Sequence, residues 1–562
     1  MRRRAFLASL GLGACAPAAR PPAPGGGEAE RVFVRGRVWT GEPGRPFAEA
    51  LAVRGGVIAA VGTDAEARAR AGRGAEVVDL RGLFVYPGFN DAHLHFVGGS
   101  LTLGMVNLAG AFTVEEIQRK IAAFARANPE APWVVGRGWA YAAFPGGLPH
   151  RRLLDAAVPD RPAWMTSYDE HTGWANTAAL RAAGVGRLSR DPEHGVIVKD
   201  EGGEPTGVFK EAAQALVSGR VPPPDAEAKY RLVRRGLDLA ASYGLTSAQN
   251  AGFDEADLPI FDRLIAEGAL TVRMYSALAM AKEPGPELLA RYRALRARYR
   301  SDTFRFGAVK GFVDGVVEAQ TAAMFDPYPG GGRGLANWTP EELDRAVSLY
   351  DREGFQIFLH AIGDRAIHMA LNAYERAARE NGPRARRHRV EHVEAPRFED
   401  VARFGPLGVV ASTQPTFIYP DKNHFEAYVP ALGPERAPRA MAFKSIDDAG
   451  AVQAFGSDWP VFSCEVLRGL RAAVTRTTVE GNPPGGWHPE QRIGAEAALR
   501  HYTRDAAYAS FDEGRKGTLA PGKLADFVAA SADLSAGAES IAKAEIVLTV
   551  MGGRDTYRAR GL

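Results

Sequence analysis

The chain has 562 residues, with 69 Lys and Arg against 66 Asp and Glu, for a formal charge of +3. An apolar content of 46% with 24% charged residues is ordinary for a globular protein and excludes intrinsic disorder. Setting aside Arg2, Arg3 and Arg4 leaves a formally neutral body, which excludes a globally basic nucleic-acid binder.

Residues 1–28 read as a leader and tether. MRRR is a positive segment, and the apolar run from Ala5 ends in Leu12-Gly13-Ala14-Cys15. Such a run is too short to span a bilayer but suits a signal peptide. The tetrapeptide resembles a bacterial lipobox, in which Cys15 would be lipidated. Arg3-Arg4-Ala5-Phe6-Leu7 resembles a twin-arginine signal, although Arg2 stands where Ser or Thr is usual. The expectation is export to the periplasm or cell envelope, with membrane contact only through a lipid on Cys15. An ordinary cleaved signal with Cys15 incidental is the alternative. Cys464, the other cysteine, reads as a small packed residue.

Residues 29–85 carry short β-rich runs with turns, and residues 515–562 return to that style. Two such ends around a long middle predict one discontinuous small domain. Across 86–514, apolar β-rich runs alternate with helical stretches. The runs are FVYPGFNDAHLHF, GLTSAQNA, TVRMYSAL, FRFGAVKGFVD, FQIFLHAIG, RHRVEHVE, GVVASTQP and VQAFGSDWP. They fit the eight strands of a (β/α)8 TIM barrel, an α/β fold. The segment of about 97–225 is longer than any crossover needs and is expected to cap the barrel mouth.

His93, His95, Lys310, His360, His392 and Asp458 stand at or near the ends of these runs, where barrel active sites lie. His93 and His95 share a strand face at i and i+2, and two such imidazoles can chelate one cation. Each residue alone has a structural explanation: a core histidine, a turn aspartate, or a Lys310–Asp314 pair. Six of them ending five of eight strands point jointly to a divalent metal site.

PGFNDAHLHF resembles the opening His-x-His signature of the amidohydrolase superfamily. VKGFVDGVVEAQTAAM, LHAIGDRAIHMAL, RHRVEHVE, ASTQP and FGSDWPV are similar to its amidohydrolase 3 branch, which includes N-substituted formamide deformylases and YtcJ-like proteins. The resemblance implies a metal-bearing barrel with a small β-sandwich made from both chain ends. It places His93 and His95 on a more buried ion, zinc being the first choice, and His360 and His392 on a second one. Lys310 would occupy the bridging position, which in many members is an N-carboxylated lysine, and Asp458 would ligate the first ion and shuttle protons.

The expected function is therefore hydrolysis of an amide-type C–N bond in a small molecule, with Asp458 as general base and acid. Hydrolysis of cyclic amides or esters is an alternative, as is a lipid-anchored binding protein without turnover. His171, Trp174 and Asn176 of DEHTGWAN, and Gln414, are candidate substrate contacts. Asp364 reads as a helix N-cap, His368 as a helix-facing residue, and RARRHR at 384–389 as a solvated loop. The neutral body favours a largely uncharged substrate, and oligomerisation is compatible with the sequence.

Overall fold

The computed structural model describes residues 29–168, 172–193, 195–421 and 424–561. The leader with Cys15, and His171 in the insertion, lie outside the described residues.

Eight parallel strands form one nearly closed sheet: β1 (Phe89–Leu94), β2 (Leu245–Asn250), β3 (Arg273–Ala279), β4 (Phe304–Phe312), β5 (Gln356–Ala361), β6 (Arg389–His392), β7 (Val410–Thr413) and β8 (Gln453–Phe455). Each predicted run contributes one of them. β1, β2, β5, β6, β7 and β8 are buried at every position, as expected where helices cover the outside and side chains fill the inside. Just past β8, the backbone closes the circle onto β1. The His93 carbonyl accepts from Asp458 N at 2.7 Å, and His95 N donates to the Trp459 carbonyl at 2.8 Å. Gly456 permits this approach, because a Cβ there would stand 2.4 Å from His93 N.

Both chain ends build two further sheets. One holds Val57–Gly62, Ala50–Arg54, Ala29–Val34 and Ala71–Asp79. In the other, Phe84–Pro87 pairs antiparallel with Phe527–Ala530, joining the two termini. Phe33, Val38, Leu51, Ile58, Val85, Phe527 and Leu548 share one core between them. A buried bidentate pair, Arg273 with Asp526 at 2.6 and 2.9 Å, ties this unit to the start of β3.

Between β1 and β2, helix Phe96–Thr102 still packs on the barrel helix Ala226–Ser242. The separate sheet of the insertion therefore starts only at Val106. It has six strands and a core on each face, one around Trp139, Met165 and Trp174, the other around Trp164, Ile197 and Phe209. Its Arg137 reaches the carbonyl of Pro460, in the loop after β8, at 3.5 Å. No helix among the described residues is long and apolar enough to cross a membrane.

The run at 384–389 is not a solvated loop. Arg384, Arg386 (2.9 Å) and His388 (2.9 Å) converge on the fully buried carboxylate of Asp351, and Asn381 adds a bond of 2.8 Å. Arg387 pairs with Glu513 at 2.6 Å, and Arg389 enters the barrel. The His388 ring also accepts from Ile357 N at 3.2 Å, so the clasp sets where β5 and β6 begin. Burial alone would raise the Asp351 carboxyl, but hydrogen bonds from His388, Arg384 and Asn381 outweigh it and hold the group below the usual carboxylate range. A lowered folded pKa stabilises above the unfolded value of about 4, and that stability is lost as pH falls. Asp351→Asn should therefore melt well below wild type at pH 7, with the gap closing below about pH 4. Thermal melts across pH 3 to 7 check this, and a constant gap would exclude the clasp as its source.

Candidate metal centre

The predicted residues meet at the C-terminal mouth of the barrel. His93 lies inside β1, and His95 follows it at the start of helix Phe96–Thr102. Asp91 Oδ1 accepts from His93 N at 3.1 Å and from Ser457 N at 3.0 Å, locking β1 to the segment after β8. His392 ends β6 with φ 77°, Val393 follows at 52°, and Asp458 has 56°. Non-glycine residues in the left-handed region are strained, and strain of this kind concentrates at functional sites. These local turns swing His392 and Asp458 out of the strand alternation and towards His93.

Ligand-type atoms of His93, His392 and Asp458 lie within 4.8 Å of one another, and all three residues are buried. His95 Nε2 stands 3.2 Å and His93 Nε2 3.4 Å from Asp458 Oδ1. Lys310 Nζ, on β4, is 3.4 Å from His93 Nε2. The His360 ring packs 4.6 Å from that of His392, but its Nε2 donates to the Gly315 carbonyl at 3.1 Å. Ligation through that atom would exchange this hydrogen bond for the metal.

Two orienting groups define which nitrogens face the centre. His93 Nδ1 donates to Glu391 Oε2 at 2.5 Å, so its Nε2 lone pair points inward. Glu391 is fully buried and is itself held by Arg389 at 2.8 and 2.9 Å. His392 Nδ1 donates to Gln414 Oε1 at 2.8 Å, which likewise leaves its Nε2 free. Gln414, expected to contact substrate, is thus the partner that fixes the His392 tautomer. Glu391 was missed by sequence reasoning, although Arg389 and Glu391 at i and i+2 in an apolar strand were a visible signal.

Asp458 Oδ1 is buried with no hydrogen-bond partner and faces the lone pair of His93 Nε2. Two acceptors turned towards each other out of water repel, and a cation between them reverses the sign. The donor set therefore fits a divalent metal. Burial lowers His95 and takes His360 down to about 4, while His392 falls well below the usual range for the same reason. These imidazoles are neutral at pH 7, the form that ligates. Burial also brings Lys310 down to about 8, against the pull of Glu391 and Asp458.

Other expected residues have structural work. Trp174 is buried in the insertion core against Phe144, and Asn176 caps helix Thr177–Ala183. The Asn176 amide bonds Ala163 N, Ala179 N, and the carbonyls of Val158 and Arg161. Those four bonds use the full hydrogen-bonding capacity of the Asn176 amide within the insertion. Asp364 is the first residue of its helix after the Gly363 cap, where it accepts from Phe325 N at 2.8 Å and pairs with Arg439 at 2.9 Å. His368 bonds Asp400 at 2.9 Å, and Cys464 is buried, its thiol pushed up by burial.

The chain is 32% identical over 545 residues to Protein LONG AFTER FAR-RED 3 of Arabidopsis thaliana, covering 95% of this chain and 92% of that one. It is 26% identical to the N-substituted formamide deformylase of Arthrobacter pascens, covering 94% and 98%. Among solved structures, an uncharacterized metal-dependent hydrolase from Pyrococcus horikoshii OT3 superposes with a TM-score of 0.72 at 25% identity, covering 91% and 99%. The model of the amidohydrolase family matches residues 76–557. With that span and this barrel, the chain belongs to the amidohydrolase family of metal-dependent hydrolases.

Proposed function

We propose that the chain hydrolyses an amide-type C–N bond of a small molecule at this centre. The observation that carries the reading is Asp458 Oδ1, an orphaned acceptor facing an imidazole lone pair at 3.4 Å. The residues that would hold metal are His93, His95, Lys310, His360, His392 and Asp458, as one ion or two. Neutral imidazoles with a carboxylate suit zinc. Bound there, the metal would supply a Lewis acid that acidifies water and polarises a carbonyl. The relative named N-substituted formamide deformylase supports an N-formyl or N-acyl amine as the substrate type.

The chain's own groups do the rest. Glu391 and Gln414 hold two imidazoles in the tautomers that keep Nε2 free, so nothing reorients during the reaction. Asp458 takes the proton released as the water oxygen bonds to the carbonyl carbon. It hands that proton to the nitrogen as the C–N bond breaks. N-carboxylation of Lys310 would replace one lone pair by two anionic oxygens, a better bridge between two cations.

Chelation should abolish hydrolysis of N-formyl and N-acyl amines, with Zn²⁺ or Mn²⁺ restoring it; full activity after complete metal removal overturns the reading. Asp458→Asn should lower turnover at least about 100-fold while elemental analysis finds most of the metal retained. Gln414→Leu separates its two roles. As a positioning residue, its loss weakens metal affinity about 10–100-fold in a chelator competition. A raised KM with unchanged metal affinity would return Gln414 to the substrate.

A further inference from the structure

A cavity of about 580 Å³ lies between the loop that follows β4 and the N-terminal halves of helices Pro340–Arg352 and Asp364–Asn381. None of the residues lining it belongs to the metal centre. The volume falls in the usual range of small-molecule sites, roughly 300–1,000 Å³. Phe325, Leu335, Trp338 and Met369 give it an apolar wall, and Leu335 at its edge is 71% exposed. The frame is tied in place. Trp338 Nε1 donates to the Phe312 carbonyl at 2.7 Å, Phe325 N donates to Asp364 at 2.8 Å, and the Phe325 ring packs edge-on against His368 at 5.5 Å. A ligand entering here pays little to order the walls around it.

The polar side of the cavity names the charge of its guest. Arg365, His368 and Asn372 stand at i, i+3 and i+7 of helix Asp364–Asn381, so all three share the face that lines it. His368 Nδ1 meets Asp400 at 2.9 Å, and Asn372 Oδ1 accepts from Arg403 at 2.8 Å, which leaves the ring Nε2 and the amide Nδ2 uncommitted. Arg365 is half-buried, and its Nε is closed to water with no acceptor. Among the described residues, no ion pair or side-chain hydrogen bond holds its guanidinium. Asp344, the acid in the lining, is already matched by Arg376 at 3.1 Å. A partly desolvated guanidinium without a counter-ion gains most from a planar anion, which accepts from two of its N–H groups at once.

We propose that this cavity is a second ligand site, which takes a small molecule carrying a carboxylate on an apolar body. The carboxylate pairs with Arg365 beside the Asn372 amide, and the body lies against Leu335, Trp338 and Met369. The site stands apart from the amide-hydrolysis reading, since no residue of the metal centre contributes to it.

Binding tests this without turnover. Metal-loaded full-length protein is titrated calorimetrically with hydrocinnamate and with benzylacetone, in which an uncharged methyl ketone replaces the carboxylate at similar shape. Wild type should bind the carboxylate at least about tenfold more tightly. Arg365→Gln should remove that preference. Leu335→Glu, a change at an exposed position, should cut carboxylate affinity severalfold by placing negative charge at the cavity's edge. Melting curves and elemental analysis confirm fold and metal content, and Leu335→Glu carries the test if Arg365→Gln does not fold. Equal affinity of wild type for the two probes overturns the site. So does a preference that survives the variants with metal retained, since the carboxylate would then sit on the metal instead.

Discussion

The site depends on one interaction buried in the barrel, the pairing of Arg389 with Glu391. Both are fully removed from water, where an ion pair is favourable only if its remaining donors and acceptors are satisfied. That condition is met. Arg389 also donates to Gln249, to the Ala92 carbonyl at 2.6 Å and to Ser412 at 2.9 Å. One guanidinium thereby touches β1, β2, β6 and β7, and its flat face covers the Phe358 ring of β5 at 3.8 Å. The second oxygen of Glu391 is then committed to His93. Register between strands and orientation of the first imidazole are therefore the same fact, and disturbing one disturbs the other.

Convergence on the cluster has a backbone cost. His392, Val393 and Asp458 all occupy the left-handed region, at roughly 1–3 kcal/mol each, and Val393 is β-branched, which makes it the least tolerant of the three. Such a cost persists only where the surroundings over-determine the conformation. Here they do: His93 O accepts from Asp458 N at 2.7 Å, and Ala395 N donates to the Ile362 carbonyl at 3.0 Å, fixing the chain on either side. Without these turns, alternation along β6 would send His392 and Glu391 to opposite sides. With them, Glu391 orients His93 from within while His392 meets the same cluster from above.

How much of this was legible follows from how local each signal is. The eight strands were readable because buried strands are continuous apolar runs, and His93 and His95 because i, i+2 spacing survives folding. Arg389 and Glu391 were equally local, yet an ion pair inside an apolar strand reads more easily as a loop edge, and RARRHR was taken for a solvated segment. That reading failed because charge runs look alike whether a buried Asp351 awaits them or not. Gln414 stands at a strand end as read, but nothing in ASTQP reveals that His392 lies beside it.

Net charge and the chemistry of the site act at different ranges. A formally neutral body says that the far field is weak, so long-range steering of a charged ligand is not expected. It says nothing about a desolvated cleft, where a few groups act at short range through a low dielectric. In this barrel the two levels separate sharply. Arginines outside the mouth are consumed in pairs with Asp351, Glu513 and Asp526, whereas at the mouth Asp458 stands among imidazoles, with Lys310 3.4 Å from His93. Those cations hold the fold, and Asp314 is likewise committed, accepting from the backbone N–H groups of Ala323, Ile362 and Gly363. A barrel built that way leaves room for positive charge at the metal centre, where neutral imidazoles and Asp458 converge, without making the whole protein acidic.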